Sequence, residues 1–274
     1  MTAVLTSSLR KYGAVLVLGL QDTFVYRWNF LLRALFAIVP LLGTIFIWRA
    51  VFAARGAEIA GYDAGGMIFY FLLSMLVENL VTPTEDEFRI AAEIRDGQIS
   101  ALIVKPLNHL AYRTSLFVSY RALYCLVILP VVALIFLAFR EYLRLPQEWT
   151  VWPAFIASVA MAGMIQFFVA YTLAMMAFWI LEISTVVFLF YSFEYFLSGA
   201  LFPLDIMPGW VQGFIHWSPF TYELFFPVQV YLERVKGPAL AKGLAIQFAW
   251  AVLTFCLARL LWRLGVRKYQ AVGG

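Results

Sequence analysis

Of the 274 residues, 64% are hydrophobic and only 13% are charged, and the mean hydropathy is +0.85. A soluble domain is roughly half apolar and about a quarter charged, so a core of this length cannot hide the excess, and a soluble enzyme is excluded. The net charge of +4 does not call for nucleic acid, because membrane proteins carry surplus Lys and Arg in their cytoplasmic loops.

The sequence therefore reads as an all-α integral membrane protein of about six transmembrane helices, at about 20 apolar residues per crossing. Residues 1–28 are amphipathic rather than spanning. Leu5, Leu9, Tyr12, Leu16 and Leu20 recur at helical spacing while Arg10, Lys11, Gln21, Asp22 and Arg27 interrupt them, the pattern of a helix lying at the membrane interface. No cleavage site follows the short apolar run 15–20, so no removable signal peptide is expected. Residues 29–274 read as one transmembrane domain. The first span is predicted at 30–53, with Arg33 and Arg49 able to snorkel from its ends. A polar loop follows, holding Arg55, Glu58, Asp63 and a flexible Gly65-Gly66 pair. The second span is 67–81, stopped by Pro83.

Residues 84–111 form the longest polar stretch between spans. Thr84 with Glu87 makes a capping box, which predicts a helix start. Phe88, Ala91 and Ala92 would share one face, leaving Glu87, Arg89, Glu93, Arg95 and Asp96 for the others. Gly97 is a helix stop, and a short amphipathic piece at 98–104 runs into Lys105-Pro106. The third span is 115–139, the loop 140–150 is polar, and the fourth span is 152–180. Glu182 and Ser184 mark a tight turn into a fifth span at 185–202. Pro203, Pro208, Gly209, Gly213, Pro219 and Pro227 then break the chain while Trp210, Trp217, Phe220, Tyr222 and Phe225 keep it apolar. That composition fits half-helices dipping back into the outer leaflet at about 203–227 better than an interfacial aromatic loop. The last span is 244–264, followed by Arg267 and Lys268. Placing both termini in the cytoplasm gathers most basic residues inside.

Catalytic signatures are missing. The sequence has no phosphate-binding G-x-x-x-x-G-K-[ST], no H-E-x-x-H and no G-x-S-x-G. His109 and His216 fall on opposite sides of the membrane and cannot share a metal. Cys125 and Cys256 sit in apolar runs and read as small hydrophobes, not a disulfide. Two acids stand in apolar surroundings, Glu78 near the cytoplasmic end of the second span and Glu194 within the fifth. A charge in lipid costs roughly 3 kcal/mol on insertion scales, so such residues face a bundle interior. They read either as groups on a substrate path or as interhelical hydrogen-bond and ion-pair partners, with Arg121 one candidate base.

The layout resembles the permease subunits of type-2 ABC exporters, in the six-helix bacterial branch that works with a separate ATPase. Four features carry the resemblance: the surface helix 1–28, the block Glu93-Ile94-Arg95-Asp96-Gly97-Gln98-Ile99-Ser100-Ala101-Leu102-Ile103-Val104-Lys105-Pro106-Leu107, the turn at Glu182, and the broken segment before the last span. The block is the most specific of the four. The resemblance implies a multi-pass protein of the bacterial inner membrane, paired with a second permease chain and driven by ABC ATPase subunits that bind ATP and Mg, with no cofactor on this chain. It implies that 1–28 is a connecting helix and that about 84–104 is a coupling helix touching the ATPase through Glu87, Arg89, Glu93, Arg95 and Asp96. Rival readings are an intramembrane lipid-modifying enzyme and a channel or scaffold without an ATPase. The aromatic content of 18% suits a cationic or amphipathic cargo through cation–π contacts, but it equally suits ordinary membrane packing.

Overall fold

The computed structural model describes residues 27–56, 58–83 and 86–269. The interfacial helix expected at 1–28 and Thr84 of the capping box lie outside them, apart from Arg27 and Trp28. Among the described residues the chain is helical, and the only β-pairing is a bridge between Ile59 and Tyr62. The helices are α1 (Arg27–Arg55), α2 (Ala64–Val81), α3 (Asp86–Arg95), α4 (Ser100–Ile103), α5 (His109–Ala138), α6 (Val151–Met175), α7 (Ser184–Leu197), α8 (Gly209–Ile215), α9 (Phe220–Glu223), α10 (Phe225–Tyr231) and α11 (Gly237–Lys268).

Among the described residues, four stretches are long and apolar enough to cross a bilayer: one that contains α2, and His109–Ala138, Val151–Phe178 and Gly237–Lys268. Ile38–Ala54, within α1, and Ser184–Leu197 are apolar but shorter. Together these six match the predicted spans in order.

Several helices run past the predicted spans, α5 starting at His109 rather than 115 and α11 at Gly237 rather than 244, and two further boundaries differ for local reasons. Gly65 and Gly66 are not loop residues. Asp63 caps α2 by accepting the Gly66 amide at 3.0 Å, so the helix starts at Ala64. The missing side chains also make room for Arg144, whose guanidinium would lie 3.2 Å from a Cβ on Gly66. The fifth span stops at Leu197, short of 202. Gly199 adopts φ +92, a conformation that favours glycine, and its carbonyl accepts the Tyr70 hydroxyl at 2.7 Å. The Ser198 carbonyl accepts the Phe225 amide at 3.0 Å. At 14 residues and about 1.5 Å per residue, α7 alone reaches about 21 Å.

α2 and α6 form the centre. In the most apolar window of the spans that contain them, 67% and 61% of residues are buried, against 22% for α5 and 17% for α11. The outer helices instead expose Leu126, Leu134, Phe248 and Leu253, the surface that a bilayer would cover. The broken segment sorts itself similarly. α10 is buried along its whole length, while Trp210, Phe214 and Trp217 on and after α8 are exposed.

The loops gather at two ends. At one end, Asp63 meets Arg144 at 2.7 Å, Asp205 meets Arg234 at 3.4 Å and Glu148 meets Lys236 at 2.9 Å. At the other end, the α3–α4 segment touches the end of α11 through Ser100 Oγ and the Tyr269 hydroxyl, 2.8 Å apart. Tyr269 also packs edge-on against Phe178. Chain segments that should share a side of the membrane therefore do share an end of the bundle.

Candidate functional site

The predicted helix after the second span is present as α3, and Gly97 ends it at φ +77 as the sequence requires. Its faces differ from the expectation. Ile90, Ala91 and Ile94 are buried, and Glu87 is buried with them, whereas Phe88 is 41% exposed. Positions 87, 90, 91 and 94 follow the helical period and form the inward stripe. Phe88, Arg89, Arg95 and Asp96 look outward. The stripe packs on α6, where Ile90 and Ile94 share a cluster with Phe167, Phe168, Tyr171 and Met175.

The five charged residues expected on open faces therefore divide. Arg95 and Asp96 are exposed and, among the described residues, form an ion pair with each other at 3.1 Å. Arg89 is exposed at its tip but tethered to Asp86 at 2.6 Å and lies over the Tyr120 ring. Glu93 is turned toward α5, where it forms an ion pair with the buried Arg113. Arg113 continues to His109 Nε2 at 3.5 Å. His109 Nδ1 meets the Tyr171 hydroxyl at 2.7 Å, and its ring stacks on Trp262 at 4.1 Å. This chain of contacts fastens α3 to α5, α6 and α11 at once.

Glu87 points elsewhere, into a cavity of about 340 Å³ whose wall also carries Glu78, Gln166, Tyr191, Glu194 and Tyr195. The structure thus brings the two intramembrane acids together and adds a third carboxylate from α3. Glu194 accepts a hydrogen bond from Gln166 Nε2, and the same nitrogen donates to Glu223 at 3.2 Å. Glu223 is buried behind Gln166. Among the described residues no Lys or Arg forms an ion pair with Glu78, Glu194 or Glu223, and no three acids, histidines or cysteines converge as a metal site.

Arg121 is not the partner of these acids. Its guanidinium donates to the carbonyls of Asn79 at 2.9 Å, of Val81 at 3.5 Å and of Thr82, which are orphan acceptors at the C-terminal end of α2. A cation there also complements the helix dipole. A second cavity of about 320 Å³ lies beside the first and shares Glu78, Thr82, Pro83, Tyr195 and Ala200 as walls.

Sequence reasoning missed Gln166, Glu223, Tyr191, Arg113 and His109. One signal was available: Gln166 is the single amide in the apolar run 151–178, and lone polar residues in spans are interhelical contacts. Gln247 in α11 plays such a part, donating to the Ser158 and Tyr222 carbonyls at 2.8 Å each.

A family model described as ABC-2 family transporter protein matches residues 38–273, which take in every described helix except the start of α1. No curated protein matches the sequence significantly.

Proposed function

The chain belongs to the ABC-2 transporter family, and from that premise we propose that it is an export permease driven by a separate ATPase that docks on the outward face of α3. It is a multi-pass membrane transport component rather than an enzyme in its own right. A second permease chain, the same or homologous, completes the translocation path. ATP and Mg reside on the partner ATPase, and this chain holds no cofactor. The protein sits in the bacterial inner membrane with both termini cytoplasmic, residues 1–28 acting as a connecting helix and 203–227 dipping into the outer leaflet.

The observation that carries this reading is the two-faced character of α3. Outward, Phe88 offers an exposed apolar anchor among Arg89, Arg95 and Asp96, an aromatic centre with a polar rim that suits a protein interface. Inward, Ile90 and Ile94 bind the helix to α6, Glu93 ties it to Arg113 on α5, and Glu87 enters the acidic cavity. A displacement of α3 therefore moves a cavity wall and two spans together, as rigid-body switching requires. The contact surface supports Phe88, Arg95 and Asp96 as direct docking residues. Glu87 and Glu93 act from the inner face, transmitting motion rather than touching the ATPase.

Gentle-detergent purification of the chain from its native membrane tests the reading. A P-loop ATPase recovered in about equal amount is the expected result, and recovery of the chain alone contradicts it. Cysteines replacing Glu58 and Leu145 should react with an impermeant maleimide from outside, and one replacing Ser100 only after permeabilisation. The opposite pattern reverses the orientation.

A further inference from the structure

We propose that the cavity bounded by Glu78, Glu87 and Glu194 is a binding site for a lipophilic organic cation. This deepens the permease reading by naming a cargo class, and it rests on that reading. Among the described residues the wall of the cavity carries three carboxylates and no Lys or Arg. Carboxylates crowded in a low-dielectric interior repel one another and lack the solvation they would have in water, so a cation entering the cavity is favoured by both terms.

A second, independent observation points to a ligand. Gln166 is 5% exposed and spends its amide nitrogen on Glu194 and Glu223. Gln166 lines the cavity, and its carbonyl Oε1 is buried without a hydrogen-bond partner among the described residues. A buried unsatisfied acceptor is costly, and it is complemented by a ligand carrying positive charge or an N–H donor. Tyr191 and Tyr195 line the same wall, and aromatic rings attract organic cations.

The ligand is organic rather than a metal ion, because the described acids do not converge on one point. Its apolar body has a place as well. The adjoining cavity is walled by Leu41, Phe71 and Met75, and the combined space falls within the range of small-molecule pockets. Arg121 borders that second cavity, but its guanidinium is engaged by the α2 carbonyls and does not neutralise the acids.

The test uses the full chain purified with its ATPase and reconstituted in lipid nanodiscs. Radiolabelled tetraphenylphosphonium is compared with tetraphenylborate, an anion of nearly the same size and shape. Saturable binding of the phosphonium and none of the borate is expected in the native protein. Glu78→Gln with Glu194→Gln should weaken phosphonium binding at least tenfold, and Glu148→Gln, at the opposite end of the bundle, should leave it unchanged. If the double variant does not fold, Glu194→Gln alone should weaken binding at least threefold. Absence of saturable phosphonium binding, equal binding of the borate, or native affinity in the carboxylate variants would overturn the proposal. The ATPase is quantified in the same preparation. Its loss counts against the permease reading, whereas failed binding with the ATPase present counts against the cation site alone.

Discussion

The acids at the loop end of the bundle and the acids of the cavity are the same residue types put to opposite uses. At the loop end four carboxylates have a base: Asp63 has Arg144, Asp205 has Arg234, and Glu148 and Glu233 share Lys236. These pairs join the 58–63, 140–150, 204–206 and 232–236 segments. In and behind the cavity, Glu194 and Glu223 share the Gln166 amide, and among the described residues neither they nor Glu78 form an ion pair with a base. Paired surface acids hold loops together at little cost. Unpaired acids within spans weaken the fold, so their value has to lie in what they bind. The contrast separates scaffold from function without reference to the family.

Breaking a pair inside the bundle should have the largest effect. Glu93→Ala leaves Arg113 charged and buried, which should cost about 3–5 kcal/mol, read as a large fall in melting temperature. An unchanged melt would mean that Glu93 faces solvent after all. Asp63→Ala removes both the α2 cap and the Arg144 pair, at about 1–2 kcal/mol. Asp63→Asn keeps the capping oxygen and should cost less than about 1 kcal/mol. Equal losses in the two variants would show that the cap contributes nothing.

A smaller effect should follow pH. Slight burial raises the Asp63 pKa, but the Arg144 and Gly66 hydrogen bonds outweigh it and hold the carboxyl below its usual range. The Gln147 and Glu148 amides and Lys236 hold Glu233 low as well. A depressed acid stabilises the fold above its unfolded pKa, and that contribution is lost as pH falls through the folded value. The melting temperature should therefore drop as pH falls below about 4, and Asp63→Asn should flatten part of that drop. The smallest effect is expected at Glu194→Gln, where removing an unpaired charge should leave the melt within about 0.5 kcal/mol of native or raise it. A loss above about 2 kcal/mol would move Glu194 into the scaffold class and dissolve the contrast.

Lipid makes the architecture legible, because a span must be continuously apolar and breakers such as Pro83, Gly97 and Pro203 stand out against it. Local chemistry at single residues is less legible. The Gly65-Gly66 pair reads as a loop until Asp63 is seen capping it, and the end of α7 depends on Tyr70, more than a hundred residues away, meeting the Gly199 carbonyl. For α3, weighting Phe88 as the apolar anchor hid the stronger Ile90 and Ile94 stripe, and an exposed aromatic is what an interface with another protein would place there. Glu78 and Glu194 are conspicuous as acids in apolar runs. Glu223 hides among the breakers of 203–227, and the link through Gln166 is a tertiary contact that no spacing encodes. Arg121 misleads for the same reason, since backbone carbonyls leave no mark in a sequence.

The coupling claim is tested most directly by co-purifying the ATPase with a Phe88→Ala, Arg95→Glu variant beside a Glu148→Lys control. Both positions on α3 are exposed and neither supports a buried pair, so the melting temperature should stay native. Loss of the ATPase from the α3 variant, with the control retaining it, is the predicted result. Full recovery of the ATPase with a native melt would contradict the assignment of α3 as the docking helix.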